Sequence, residues 1–220
     1  MPRARGSPLP RAFYARASLE VARDVLGRTL VRTLPEGRRL AGRVVEAEAY
    51  REDDPASHSY RGRTSRTDVM FGPPGRLYVY FTYGMHYCMN LVTGCDGEGS
   101  AVLLRAVEPL EDLEAMAERR GLSSPRLLCS GPGRLCQAFA VDRAQNGTDL
   151  VRGAELRLEA GEPVTDDLVL SGPRIGVTVA THQPWRFVVA GSPYLSRASF
   201  PEAAPARRAG RGDLRGSPRS

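Results

Sequence analysis

The chain has no lysine; all 31 of its basic residues are arginine. It therefore offers no ε-amine as a Schiff-base nucleophile. No apolar run approaches the roughly 20 residues that span a bilayer, and the opening stretch MPRARGSPLPRAF has no apolar signal core. A cytoplasmic location without membrane contact is expected. Cysteine is scarce, and Cys88, Cys95, Cys129 and Cys136 fall in two widely spaced pairs. That spacing fits no close metal-ligand pattern, and a disulfide scaffold is out of place in a chain of this length and compartment. All four read as core or incidental thiols, and neither metal nor cofactor is expected. Internal repeats and a second domain are also missing.

What is present suits one globular domain. A chain of 220 residues, 41% hydrophobic and 25% charged, can bury a substantial core. A net charge of +6 favours polyanion partners such as nucleic acid. A GC-rich genome accounts for the arginine bias equally well. Residues 1–12 and 201–220 are rich in Arg and Pro and are expected to be disordered, leaving 13–200 as the domain.

The densest cluster of unusual residues is Leu77–Asn90, LYVYFTYGMHYCMN. Leu77, Val79 and Phe81 alternate with Tyr78, Tyr80 and Thr82, which is the period of a two-faced strand. Alternation resumes after Gly84, with Tyr87, Met89 and Leu91 against His86, Cys88 and Asn90. The pattern predicts a β-hairpin whose tip, Thr82–Met85, pushes Tyr83 and Met85 outward. Read by itself, it is also compatible with an ordinary core hairpin.

Upstream, Ser18 reads as the N-cap of a helix that stops at Gly27, followed by strands at Thr29–Leu34 and Leu40–Tyr50. On the second strand Val44, Glu46, Glu48 and Tyr50 share one face and Val45, Ala47 and Ala49 the other. A solvated face accounts for Glu46. It fits Glu48 less well, because the strand runs straight into a polar loop that contains His58. In that loop Arg61, Arg63 and Arg66 form a compact basic segment suited to phosphate, or simply an exposed charged loop. Arg105 interrupts the apolar strand Ala101–Val107, where a guanidinium needs a carboxylate, a phosphate or water. An amphipathic helix is expected over Pro109–Arg120, stopping at Gly121, and a short one over Arg134–Ala140, whose free N–H groups could hold an anion. Leu156–Leu158, Arg174–Ala180 and Trp185–Val189 read as further strands.

In combination, VVEAEAY, DPASHSYRGRT, MFGPPGRLYVYFTYGMHYCMN, LLRAVEP, LCSGPGRLCQA and RFVVAGSPYLS resemble the alkyladenine (3-methyladenine) DNA glycosylase family, from about Arg11 to Arg197. The resemblance implies an α+β fold: a single mixed domain with a curved antiparallel sheet, surrounding helices and a protruding hairpin. It further implies a monomeric, nucleoid-associated base-excision repair enzyme. Such an enzyme flips alkylated or deaminated purines out of duplex DNA and hydrolyses the N-glycosidic bond. Glu48 matches the family's general base and Arg105 the residue that places its water. Tyr50, His58 and Tyr80 match the side chains that sandwich the flipped base. Asn90 matches a residue that disfavours guanine. Tyr83 matches the minor-groove wedge, flanked by Gly84, Met85 and His86. The segment between Tyr50 and His58 is one residue shorter than in the mammalian pattern, and His86 replaces an aromatic. The missing lysine implies a monofunctional enzyme that leaves an intact abasic site. A non-catalytic nucleic-acid-binding module and a hydrolase of small nucleosides are the alternatives. The first has no use for Glu48 and Arg105, the second none for Tyr83.

Overall fold

A computed structural model describes residues 6–196. Eight antiparallel strands form one curved sheet: β1 Thr29–Thr33, β2 Arg39–Tyr50, β3 Leu77–Thr82, β4 His86–Val92, β5 Ala101–Glu111, β6 Leu156–Glu159, β7 Val169–Gly172 and β8 Arg186–Val189. The order is β3-β4-β5-β2-β1-β6, with β8 paired to both β2 and β7. Five helices accompany it: α1 Arg11–Tyr14, α2 Ser18–Asp24, α3 Leu113–Arg120, α4 Pro125–Leu128 and α5 Pro132–Ala138. The expected α+β class and hairpin are observed.

Strand β2 organises the sheet. One edge pairs with β5 along its length, while the other is shared, its first half by β1 and its second by β8. The ladder with β5 shifts register on both sides of Glu46, so that Val44 faces Val107 and Glu46 faces Ala106. Such a bulge bends the strand and interrupts its alternation. Val44 and Val45, although consecutive, therefore both enter the hydrophobic core. The face expected to carry Val44, Glu46, Glu48 and Tyr50 together is split at this point.

Helices α2, α3 and α5 pack on the sheet, burying Val21, Met116, Leu135 and Phe139 against Leu77, Met89, Leu91 and Leu104. At about 25 cal/mol per Å² of apolar surface, this burial is the main favourable contribution to folding. On the hairpin, Leu77, Val79, Met89 and Leu91 join this core, and Tyr78, Tyr80, Cys88 and Asn90 take the opposite face. That division follows directly from the period of two.

Several local expectations are corrected. Ser18 is the first helical residue, not the N-cap; Ala17 occupies that place and no side chain caps α2. Strand β5 runs through Pro109 to Glu111, because Pro109 and Glu111 pair with Gly42 and Ala41. Helix α3 thus begins only after Asp112, whose carboxylate accepts from Ala115 N. Helix α5 starts two residues before Arg134 and ends at Ala138. Residues 174–180 form bends, with Gly176 at φ +81° and Ala180 at φ +49°, instead of a strand. Strand β7 went unforeseen. Within 1–12, Leu9 is buried and its N–H donates to Leu158 O (2.8 Å). The tail at 201–220 lies outside the described residues.

Candidate active site

A cavity of about 570 Å³ opens between the hairpin, the loop after β2 and the segment Ile175–Val179. That volume is within the usual range for a small-molecule site. Tyr50, His58, Tyr80, Asn90 and Arg105 all line it, and Tyr83 stands at its mouth. Five of the six residues expected to bind substrate or carry chemistry thus line one cavity. The sixth, Glu48, is fully buried one layer behind it.

Glu48 is held by three residues that do line the cavity. Its Oε2 accepts from Tyr50 OH (3.0 Å) and from Arg105 Nη1 (3.2 Å), and its Oε1 accepts from Ile175 N (2.7 Å). Arg105 spans both carboxylates, donating from Nε to Glu46 Oε1 (2.9 Å). Burial works against its charge, but Glu48 and Glu46 outweigh burial and raise its pKa further. Tyr50 is raised, first by burial and then by Glu48, so it stays a proton donor in this bond.

Glu46 is not on a solvated face. It is fully buried and also accepts from Arg186 Nε (2.8 Å), Ser196 Oγ (2.7 Å) and Ser196 N (2.6 Å). Burial pushes its pKa up, but Arg105, Arg186 and Ser196 together bring it below the ordinary carboxylate value. The Glu46 carboxylate is thus met by one guanidinium from β5 and one from β8.

The aromatic wall is a connected group. His58 meets the Tyr80 ring edge-on at 4.5 Å between centroids, and its Nδ1 is 3.1 Å from Tyr78 OH. Burial, then Arg66, push His58 down to about 4, so the imidazole is neutral at physiological pH. Arg66 lies over the outer side of Tyr80, 5.7 Å from its centroid. Tyr80 is raised chiefly by burial. Asn90 donates from Nδ2 to Tyr78 O (3.1 Å), which fixes its side chain against the strand.

The loop carrying His58 is pinned from several sides. Asp54 forms a fully buried two-bond pair with Arg174, one bond of which is 3.0 Å from Arg174 Nη2 to Asp54 Oδ1. Arg174 also stacks on Tyr50 (4.6 Å) and Trp185 (5.0 Å). Ser59 Oγ donates to Gly99 O (2.5 Å), and a Cβ on Gly99 would come within 2.6 Å of Ser59 Cβ. Asp54, Arg174, Tyr78, Ser196 and the backbone of Ile175 were not foreseen. The signal that singled out Arg105, a guanidinium beside an apolar run, is also present at Arg174 and Arg186.

At the hairpin tip, Tyr83 is 80% and Met85 69% exposed. Tyr83 has φ +50°, followed by Gly84 at φ +66°. A non-glycine residue in the left-handed region costs on the order of 1 kcal/mol and often marks a functional turn. His86 leans on α5, where a Cβ on Gly133 would come within 2.9 Å of its ring. Of the three loop arginines, Arg63 pairs with exposed Asp68 (2.6 Å), Arg66 turns toward Tyr80, and Arg61 is exposed. All three are exposed. Among the described residues no cluster of His, Cys, Asp and Glu could hold a metal, and no helix is long and apolar enough to cross a membrane.

Comparison with known proteins gives one consistent result. The family pattern described as methylpurine-DNA glycosylase matches residues 12–193. Three relatives carry the name "Putative 3-methyladenine DNA glycosylase". The Carboxydothermus hydrogenoformans protein is 49% identical over 189 residues, covering 86% of this chain and 98% of its own. The Rhodopseudomonas palustris protein is 50% identical, covering 89% and 93%. The Streptomyces avermitilis protein is 52% identical, covering 86% and 91%.

Proposed function

The chain belongs to the methylpurine-DNA glycosylase family, and from that premise we propose that it excises alkylated or deaminated purines, of the 3-methyladenine, hypoxanthine and ethenoadenine type, from duplex DNA. The observation that carries the reading is the buried Glu48, bound by Arg105, Tyr50 and Ile175 N directly behind an aromatic-lined cavity.

Tyr83 enters the minor groove and fills the gap left by the flipped nucleotide, with Gly84, Met85 and His86 beside it. Unstacking costs a few kcal/mol per step, offset by contacts made in the opened duplex. Arg61, Arg63 and Arg66 supply positive charge near the phosphates. The base enters the cavity against Tyr80 and His58 on one side and Tyr50 on the other. These flat, electron-rich rings favour an alkylated, cationic purine, and a neutral His58 adds no repulsion. Asn90 crowds the exocyclic amine of guanine.

Water enters from the cavity and is deprotonated by Glu48. Attack on the sugar C1′ breaks the glycosidic bond on the opposite face, as in inverting glycosidases. The bond's electron pair leaves with the purine: a cationic purine departs neutral with no further proton, whereas a neutral one such as hypoxanthine or ethenoadenine departs as an anion and takes a proton from solvent water. Glu48 keeps the proton of the water until the product departs. Arg105 holds the Glu48 carboxylate in place and orients the water. With no lysine in the chain, the product is an intact abasic site. Such an enzyme would act as a monomer on the cell's chromosomal DNA.

The test is a duplex bearing one ethenoadenine or hypoxanthine, treated with alkali after incubation. Wild type should give strand scission, and Glu48→Gln should lose about 10² to 10⁴ of the rate, the range expected for a general base. Equal scission by Glu48→Gln would refute the assignment. Scission of neither duplex by wild type would favour a binding module, and equal rates on free nucleoside a small-nucleoside hydrolase.

A further inference from the structure

The carboxylate of Glu46 has no place in the chemistry just described, yet it is the most heavily hydrogen-bonded side chain of the site. Four donors converge on it from β5, β8 and the segment after β8. Its charge is fully desolvated. An arginine beside a carboxylate usually grips it with two parallel bonds. Arg105 does not grip Glu48 in this way. Its Nε is taken by Glu46 and its Nη2 by Ser196 Oγ (3.2 Å), so only Nη1 reaches Glu48. A carboxylate has about four acceptor directions. Glu48 uses three, for Tyr50 OH, Arg105 Nη1 and Ile175 N, and one direction on Oε1 is left over.

We infer that Glu46, with Ser196, is a positioning residue that splits the Arg105 fork between two carboxylates and so keeps one acceptor direction of Glu48 open for the attacking water. This rests on the proposed role of Glu48 as base. The groups facing Glu48 are Glu46 and Tyr50 on β2, Cys88 on β4, Arg105 on β5, and the Ile175 N–H beside Arg174, whose charge is met by Asp54. Arg186 on β8 faces it through Glu46. Without the charge on Glu46, Glu48 is the carboxylate left to Arg105. The Arg105 fork is then free to close on Glu48 with two bonds, filling the direction reserved for water and making the carboxylate a poorer base.

Two variants test this, Glu46→Gln and Ser196→Ala, each measured by single-turnover excision across pH and by thermal melting. Glu46→Gln should lose up to about 10²-fold in rate, the scale of a misplaced reacting group. Its acid limb should move to lower pH. Ser196→Ala should show a smaller loss and a smaller shift in the same direction. A wild-type rate, or a reduced rate with an unmoved acid limb, in the folded variant overturns the inference. If Glu46→Gln fails to fold, the same criteria apply to Ser196→Ala. A ¹³C carboxyl titration of Glu48 in wild type and variant provides a readout independent of turnover. Failure of wild type to excise any base defeats the proposed function alone, while an unshifted Glu48 titration in the variant defeats the positioning role alone.

Discussion

Replacing Arg105 with Met removes one guanidinium and leaves two buried carboxylates. Arg105 is 6% exposed, and Glu46 and Glu48 are fully buried. Glu46 keeps Arg186 and Ser196, but Glu48 keeps only the neutral donors Tyr50 OH and Ile175 N–H. Stripping the partner from a buried charge costs about 3–5 kcal/mol, against about 0–1 for an exposed pair. For a domain of this size, 1 kcal/mol moves Tm by about 2–4 °C, so Arg105→Met should melt about 6–20 °C below wild type. The penalty should also depend on pH. Burial raises the Glu46 carboxyl and Arg105 is foremost among the partners that bring it down, so without Arg105 that carboxyl moves up and relieves the cost by binding a proton. A group raised in this way destabilises the fold as pH climbs through its folded pKa, and the penalty fades in acid. The Tm gap should therefore be wider at pH 8 than at pH 5. Adding Glu48→Gln to Arg105→Met should recover part of the loss, since the amide carries no charge to strand. Differential scanning calorimetry at the two pH values decides the matter. A gap below about 2 °C at pH 8, or one of equal size at both pH values, would show that the carboxylates do not depend on Arg105.

Three further outcomes follow from the same geometry. Tyr83→Ala should leave the melting temperature nearly unchanged, because the side chain is exposed at a turn, yet lower lesion binding and single-turnover rate; unchanged values over a range of enzyme concentration would remove the wedge. Gly99→Ala drives a methyl into Ser59 and Phe71 and should cost about 1–3 kcal/mol, read as a lower urea midpoint, with an unmoved midpoint showing that the loop yields. Arg174→Lys cannot reproduce the two-bond pair with Asp54 or the stacking on Tyr50 and Trp185; it should destabilise by about 1–3 kcal/mol in the same titration, and wild-type stability would show that a point charge suffices.

The sequence reveals most where a single strand carries its own explanation. Alternation in Leu77–Asn90 separates Leu77, Val79, Met89 and Leu91, which enter the core, from Tyr78, Tyr80, Cys88 and Asn90, which face the cavity. Arg105 stands out because a charge inside an apolar run must meet something. Errors arise where local pattern competes with pairing. PLEDLEAMAERR has a helical period throughout, but the ladder to Ala41 and Gly42 claims Pro109–Glu111 for β5, and the helix waits for Asp112. Arg174–Ala180 alternates like a strand, yet Gly176 and Ala180 take positive φ, and the segment bends around the cavity.

Glu46 marks the limit of such reading for a physical reason. A carboxylate's burial depends on whether cations arrive from elsewhere, and nothing within a few residues of Glu46 supplies them. Arg105 lies 59 positions away, Arg186 140 and Ser196 150. Until β5 and β8 have paired with β2, two carboxylates on one strand repel each other and belong in water; afterwards they are buried against guanidiniums. The candidate base thus acquires its environment only when β5 and β8 have paired with β2. Any substitution that loosens β8 from β2 should lower activity before it unfolds the core, because Arg186 and Ser196 leave Glu46, and Glu46 then draws Arg105 away from Glu48.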